Sequence, residues 1–156
     1  MIKKSMSFYF LLLLLIFSFV FSSCGIDKQG DPKKTVISMF GAMEKDDKAA
    51  LVAYLDLPEL MKNISEDYAF HSDDEPRVFD SPQQILEDLT EGGLTKRRWF
   101  SYQRIIGNVE NFGETATVEV SFIDNDNSKG YLSKFGLHKV NGKWKIYSFK
   151  AIPNTD

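Results

Sequence analysis

The 156-residue chain holds one cysteine and two histidines, and each shortage removes a class of protein. Cys24 alone closes no internal disulfide, so an exported chain must put that thiol to another use or leave it open to oxidation. His71 and His138 fall in no H-E-x-x-H or comparable spacing, and two imidazoles are too few donors for a zinc centre. No G-x-S-x-G occurs, so the nucleophile elbow of the serine hydrolases is missing. Basic residues are outnumbered, 19 against 22 acidic ones for a net charge of −3, which is the wrong sign for a nucleic-acid surface. Repeats and low-complexity tracts are lacking. Long apolar runs are lacking too, with one exception: Phe8 to Phe21, fourteen residues interrupted only by Tyr9 and Ser18. That run is short of the roughly 20 residues a membrane-spanning helix needs.

The run does fit the core of a secretory signal, with Lys3 and Lys4 before it and the small residues Ser22, Ser23 and Gly25 after it. Residues 1–23 are therefore set aside as a leader. Phe21-Ser22-Ser23-Cys24 resembles the lipobox of bacterial lipoproteins, with Phe21 standing where that family usually has Leu. The resemblance implies cleavage before Cys24 and diacylglyceryl attachment to its sulfur. Two or more acyl chains hold a protein stably on a membrane where one does not. The expected place is the bacterial cell envelope, at the outer membrane, because Gly25 is not the Asp associated with inner-membrane retention. Cys24 to Asp156 leaves 133 residues, enough for one domain. Losing Lys3 and Lys4 leaves 17 basic against 22 acidic side chains, a net of −5. Residues 24–31 read as a flexible tether, 32–152 as the domain and 153–156 as a tail.

Asp31-Pro32 predicts a helix start, followed by Val36, Met39, Phe40 and Met43 at helical spacing. A second helix is expected over Lys48–Leu55, another turn after Pro58, and a short strand over Tyr68–His71. Ser81-Pro82 opens a further helix that Gly92-Gly93 ends. From Trp99 the period changes to two, and strands are predicted over 99–109, 115–122, 131–140 and from Lys143. Asn141-Gly142 predicts a two-residue hairpin turn. Pairing Val140 with Lys143 sets Leu137 opposite Ile146 and Lys139 opposite Trp144. Phe135, Leu137, Trp144 and Ile146 then form the core face. Lys134, His138, Lys143 and Lys145 take the other, with Tyr147 and Phe149 at its far end. The fold class is α+β, with N-terminal helices packed on a curved, mainly antiparallel sheet.

This order, with segments 35–55 (TVISMFGAMEKDDKAALVAYL), 115–122 (TATVEVSF) and 141–149 (NGKWKIYSF), resembles the nuclear-transport-factor-2-like superfamily, also called the cystatin-like cone. The resemblance covers residues 32–152 and implies a sheet wrapped round a helix. Some members use the conical pocket as isomerases or dehydratases, and others bind ligands or partners without chemistry. Nothing here matches the acid–base motifs of the enzymes. Tyr68, His71, Tyr102 and Arg104 are the polar groups available to such a pocket. An inward Arg104 would need an anionic partner, an outward one would not.

No metal or cofactor site is expected. Asp124 to Gly130 begins like a calcium loop, but the glycine comes one place late and Phe135 stands where a bidentate Glu belongs. Lys96 to Trp99 reads as a solvated strand edge. The sequence thus points to a tethered, non-catalytic binding module for a small apolar or anionic ligand or an envelope protein. Tyr147 and Phe149 are the candidate partner contacts, or the seam of a homodimer through sheet faces. The alternatives are a cone-pocket isomerase or dehydratase and an inhibitor or immunity protein.

Overall fold

Asp31 and Pro32 open the first helix as expected: the Asp31 carboxylate accepts from Lys33 N at 2.9 Å, and Pro32 needs no such partner. The computed structural model describes residues 30–64, 77–126 and 129–152. Among these, helix α1 (Pro32–Glu44) turns Val36, Met39, Phe40 and Met43 inward. Helix α2 (Lys48–Tyr54) is capped by Asp47, and α3 (Leu57–Asn63) by Asp56, whose Oδ1 accepts from Glu59 N. Helices α4 (Pro82–Asp88) and α5 (Leu94–Ser101) follow. Four strands complete the domain: β1 (Gln103–Asn111), β2 (Thr115–Ile123), β3 (Gly130–Val140) and β4 (Lys143–Ile152). They form one antiparallel meander in chain order. The fold is α+β, with the helices gathered on one face of the sheet.

The hairpin register is the expected one. Val140 pairs with Lys143, Lys139 with Trp144 and Leu137 with Ile146, around a turn with Asn141 and Gly142 at φ +52° and +75°. Beyond Ile146 the strict alternation fails. Gly136 pairs with Ser148, so Tyr147 is one residue too many, a β-bulge that reverses the faces that follow. Phe149 therefore lies opposite Phe135 on the core face and is wholly buried, not on the outer face that unbroken alternation assigns it. Gly136 makes the bulge possible, since a Cβ there would sit 2.9 Å from Tyr147 Cζ. A second bulge follows Ile106 in β1, and the two together curl the sheet round α1.

The strand expected from Trp99 is also corrected. Residues 94–101 are helix α5, which buries Thr95 and Trp99 one turn apart, and β1 begins at Gln103. Lys96 to Trp99 is accordingly helix, not strand edge. Its N-cap, Gly93, has no side chain. The cap is supplied by the buried Asp88, whose Oδ1 accepts from Leu94 N at 3.1 Å and pairs with Arg77. The β4 edge is covered by the α2–α3 junction: Asp56 N donates to Ile146 O at 2.8 Å, and Asn63 Nδ2 to Tyr147 O at 3.2 Å.

One exposed carboxylate ties the two loop regions together. Asp46 Oδ1 accepts from Lys96 Nζ at 2.6 Å and from Glu91 N. The Lys96 hydrogen bond, followed by the Glu91 N–H, holds the Asp46 carboxyl below its ordinary value. A carboxyl depressed in the folded state contributes stability that is complete above the unfolded pKa, about 4. That contribution fades as pH falls through the folded value. Asp46→Asn should therefore weaken resistance to urea at pH 7 and flatten the loss of stability on acidification below about pH 4. Parallel denaturation series at several pH values check this, and identical slopes for the two proteins would refute it. The bulge makes a second prediction. Phe149→Ala should cost about 3–5 kcal/mol, and Tyr147→Ala about 1 kcal/mol, in equilibrium denaturation. Similar costs at the two positions would show that Phe149 is not in the core.

Candidate functional site

The space enclosed by sheet and helices is where a cone-shaped domain would hold a ligand, and here rings occupy it. Trp99 lies with its ring centroid 5.4 Å from Phe122, 5.5 Å from Phe135 and 5.2 Å from Phe149, all four fully buried. Phe40 of α1 closes the cluster at 5.7 Å from Trp99 and 5.9 Å from Phe135. Such edge and offset contacts add about 0.5–1.5 kcal/mol per pair beyond the burial of area.

Two of the four residues proposed for the pocket lie among the described ones. Arg104 is on the inner face, half-buried, beside Phe122. No anion meets it among the described residues. Its guanidinium lies 3.9 Å from the Phe100 ring centroid and donates to Trp99 O at 2.8 Å. Desolvation lowers its pKa, with Glu44 opposing. Tyr102 follows α5 and meets the Tyr131 ring edge-on at 5.8 Å. Burial pushes the Tyr131 hydroxyl up to about 12. Tyr102 and Arg104 thus pack against aromatic rings at one end of the core. Tyr68, His71 and Cys24, the strand expected at 68–71, and the acidic stretch 73–75 lie outside the described residues.

The outer face of the sheet carries a different group. Tyr147, displaced by the bulge, lies over Gly136 with its ring 5.0 Å from that of His138. His138 is half-buried, and its Nε2 lies 2.7 Å from Asp56 Oδ2. With Asp56 as acceptor the proton of this bond belongs to Nε2. Asp56 serves three structures at once: cap of α3, backbone donor to β4 and partner of His138. Beside it, Lys145 Nζ donates to Val52 O at 3.0 Å and Leu55 O at 3.2 Å, closing the end of α2. Lys134 faces Glu119 at 3.9 Å, and Lys150 is exposed. An Asp–His pair is also an acid–base arrangement. Among the described residues, Asp56 borders a small cavity of about 190 Å³ with Val52, Leu57, Val140 and Lys145.

Cavities lined by described residues open at the perimeter. One, of about 430 Å³, lies between Arg77, Asp88, Gly93 and Arg97, and another of about 350 Å³ sits where the chain enters α1. Neither Tyr102 nor Arg104 borders them. Asp88, Asp56 and the aromatic plug are the features that sequence reasoning missed. Asp-Leu-Pro-Glu carries a local signal for the Asp56 cap, but nothing local links Asp56 to a histidine 82 residues away.

No protein-family model and no curated protein matches the sequence. Among solved structures, the chain is similar to a candidate dehydratase of the NTF2-like family from Streptomyces avermitilis. Identity is 17%, coverage is 78% of this chain and 93% of that one, and the TM-score is 0.48. It is also similar to a five-substitution variant of Rd1NTF2_05, at 14% identity over 77% of this chain and 95% of that one, with a TM-score of 0.45.

The Asp56–His138 contact should be measurable as coupling. Asp56→Ala should cost about 1–2 kcal/mol, chiefly as a lost cap. The double variant with His138→Ala should fall short of additivity by about 0.5–1 kcal/mol. Strict additivity in a denaturant cycle would show that the contact stores no energy.

Proposed function

We propose that the protein is a lipoprotein of the bacterial cell envelope, held at the outer membrane through acylated Cys24, whose domain binds a protein partner and performs no chemistry. The observation that carries this reading is the aromatic filling of the interior by Phe40, Trp99, Phe122, Phe135 and Phe149. With that volume occupied, recognition of a small apolar or anionic ligand inside the cone loses its room, and the surfaces remain. The outer sheet face suits a protein contact. It presents one half-buried aromatic ring, Tyr147, stiffened by His138 and Asp56, among the charges of Lys134, Glu119 and Lys150. Interfaces concentrate energy in such aromatic anchors ringed by polar groups. An inhibitor or immunity protein is one form this function takes. A second reading, an acid–base enzyme, draws support from Asp56–His138 alone.

The anchor and the binding face are tested separately. Cys24→Ala should shift the protein from the membrane to the soluble fraction and abolish labelling by palmitate. An unlabelled wild type would end the anchor reading. For the face, a photo-crosslinking phenylalanine analogue is placed at Tyr147 in cells and compared with one at Ile37, an exposed position on α1. The expected result is a discrete adduct from position 147 and none from 37. An adduct of twice the monomer mass would identify a homodimer through sheet faces. Absence of adducts at 147, or the same ladder at both positions, would contradict a partner on this face.

A further inference from the structure

The chain enters the domain at one end of the sheet, and among the exposed side chains there is an aromatic ring. A side chain at Gly30 would sit 3.7 Å from Trp144, and Gly30 shares its cavity wall with Asn111, Gly113 and Lys139. Both hairpins turn at this end, joined by Lys139 N donating to Glu114 O at 2.9 Å. Phe112 stands at the tip of the first turn, 69% exposed, the one exposed aromatic ring among the described residues. The turn holds it outward: Phe112 N donates to Thr115 O at 2.8 Å, and Asn111 Oδ1 accepts from Gly113 N at 2.9 Å.

Two arguments name what covers that ring. The first is reach. Cys24 and Gly30 are six residues apart, so at about 3.6 Å per residue an acylated Cys24 keeps this end within roughly 20 Å of the lipid surface, whatever path lies between. The second is charge. Exposed Lys34 and Lys143 are matched by exposed Asp31 and Glu110, and Glu114 is paired with Lys139 at 3.2 Å. A nearly neutral edge offers little to steer a charged protein, whereas an apolar ring on a tethered domain suits the boundary between headgroups and acyl chains.

We propose that this end is a membrane-docking edge, with Phe112 seated in the bilayer interface beside the tether. The domain is thereby held in one orientation, its opposite end, with Tyr102, Arg104 and Tyr131, turned away from the lipid. This rests on the reading of Cys24 as acylated.

The test uses the full acylated chain in phosphatidylethanolamine–phosphatidylglycerol vesicles containing nitroxide lipids. Phe112→Cys and, as control, Ile105→Cys near the opposite end of β1 are each labelled with a fluorescent maleimide. The expected result is quenching about threefold greater at 112 than at 105, unchanged in high salt because the edge is near neutral. Equal quenching at the two sites, with Cys24 acylated by mass spectrometry, overturns docking and leaves the anchor standing. A 112 label unquenched by lipid yet shielded from iodide also overturns it, by showing that protein covers the ring. An unmodified Cys24 removes the anchor and docking together.

Discussion

Trp99 is fully buried against Phe40, Phe122, Phe135 and Phe149, and the rest of the structure is arranged to keep those rings together. Two devices deliver them. The bulge at Tyr147 reverses β4 so that Phe149 faces Phe135 at 4.8 Å, and Gly136 gives the displaced ring its room. Asp88 starts helix α5 where Gly93 offers no cap, which fixes the turn that carries Trp99. Arg104 then closes the far end with its face on Phe100 and its donor on Trp99 O.

With the interior filled by rings, the recognition proposed above falls to the exterior. An open cone sets its chemistry by what lines it, but here the lining is the core. The same bulge that sends Phe149 inward leaves Tyr147 outside, beside His138 and Asp56. One local irregularity thus supplies both the last ring of the core and the anchor of the proposed binding face. The covered β4 edge, with Asp56 and Asn63 on its backbone, keeps that face from being used for strand pairing at that side.

How much of this was legible in the sequence depends on how local each cause is. The cap Asp31, the period-two run 115–122 and the Asn141-Gly142 turn are short-range signals, and each produced the element it announces. Phe149 was misplaced because a bulge depends on space across the sheet at Gly136, which alternation along one strand does not reveal. The last turn of α5, from Trp99, reads as strand because Trp99 and Phe100 favour strands and the helix's cap comes from Asp88, six residues upstream of Leu94. For the candidate site, Tyr147 was placed on the correct face, while its partners His138 and Asp56 are joined only by the fold.

The central claim is that the interior is closed to ligands, and xenon tests it without altering the protein. Apolar cavities large enough for a ligand take up xenon or benzene, whereas a packed core does not. Ring resonances of Trp99, Phe122 and Phe135 are followed by NMR as xenon pressure is raised. The account predicts only the small linear drift common to all buried groups. A saturable shift confined to these rings would show an open cone, and the binding surface would then have to be sought inside it.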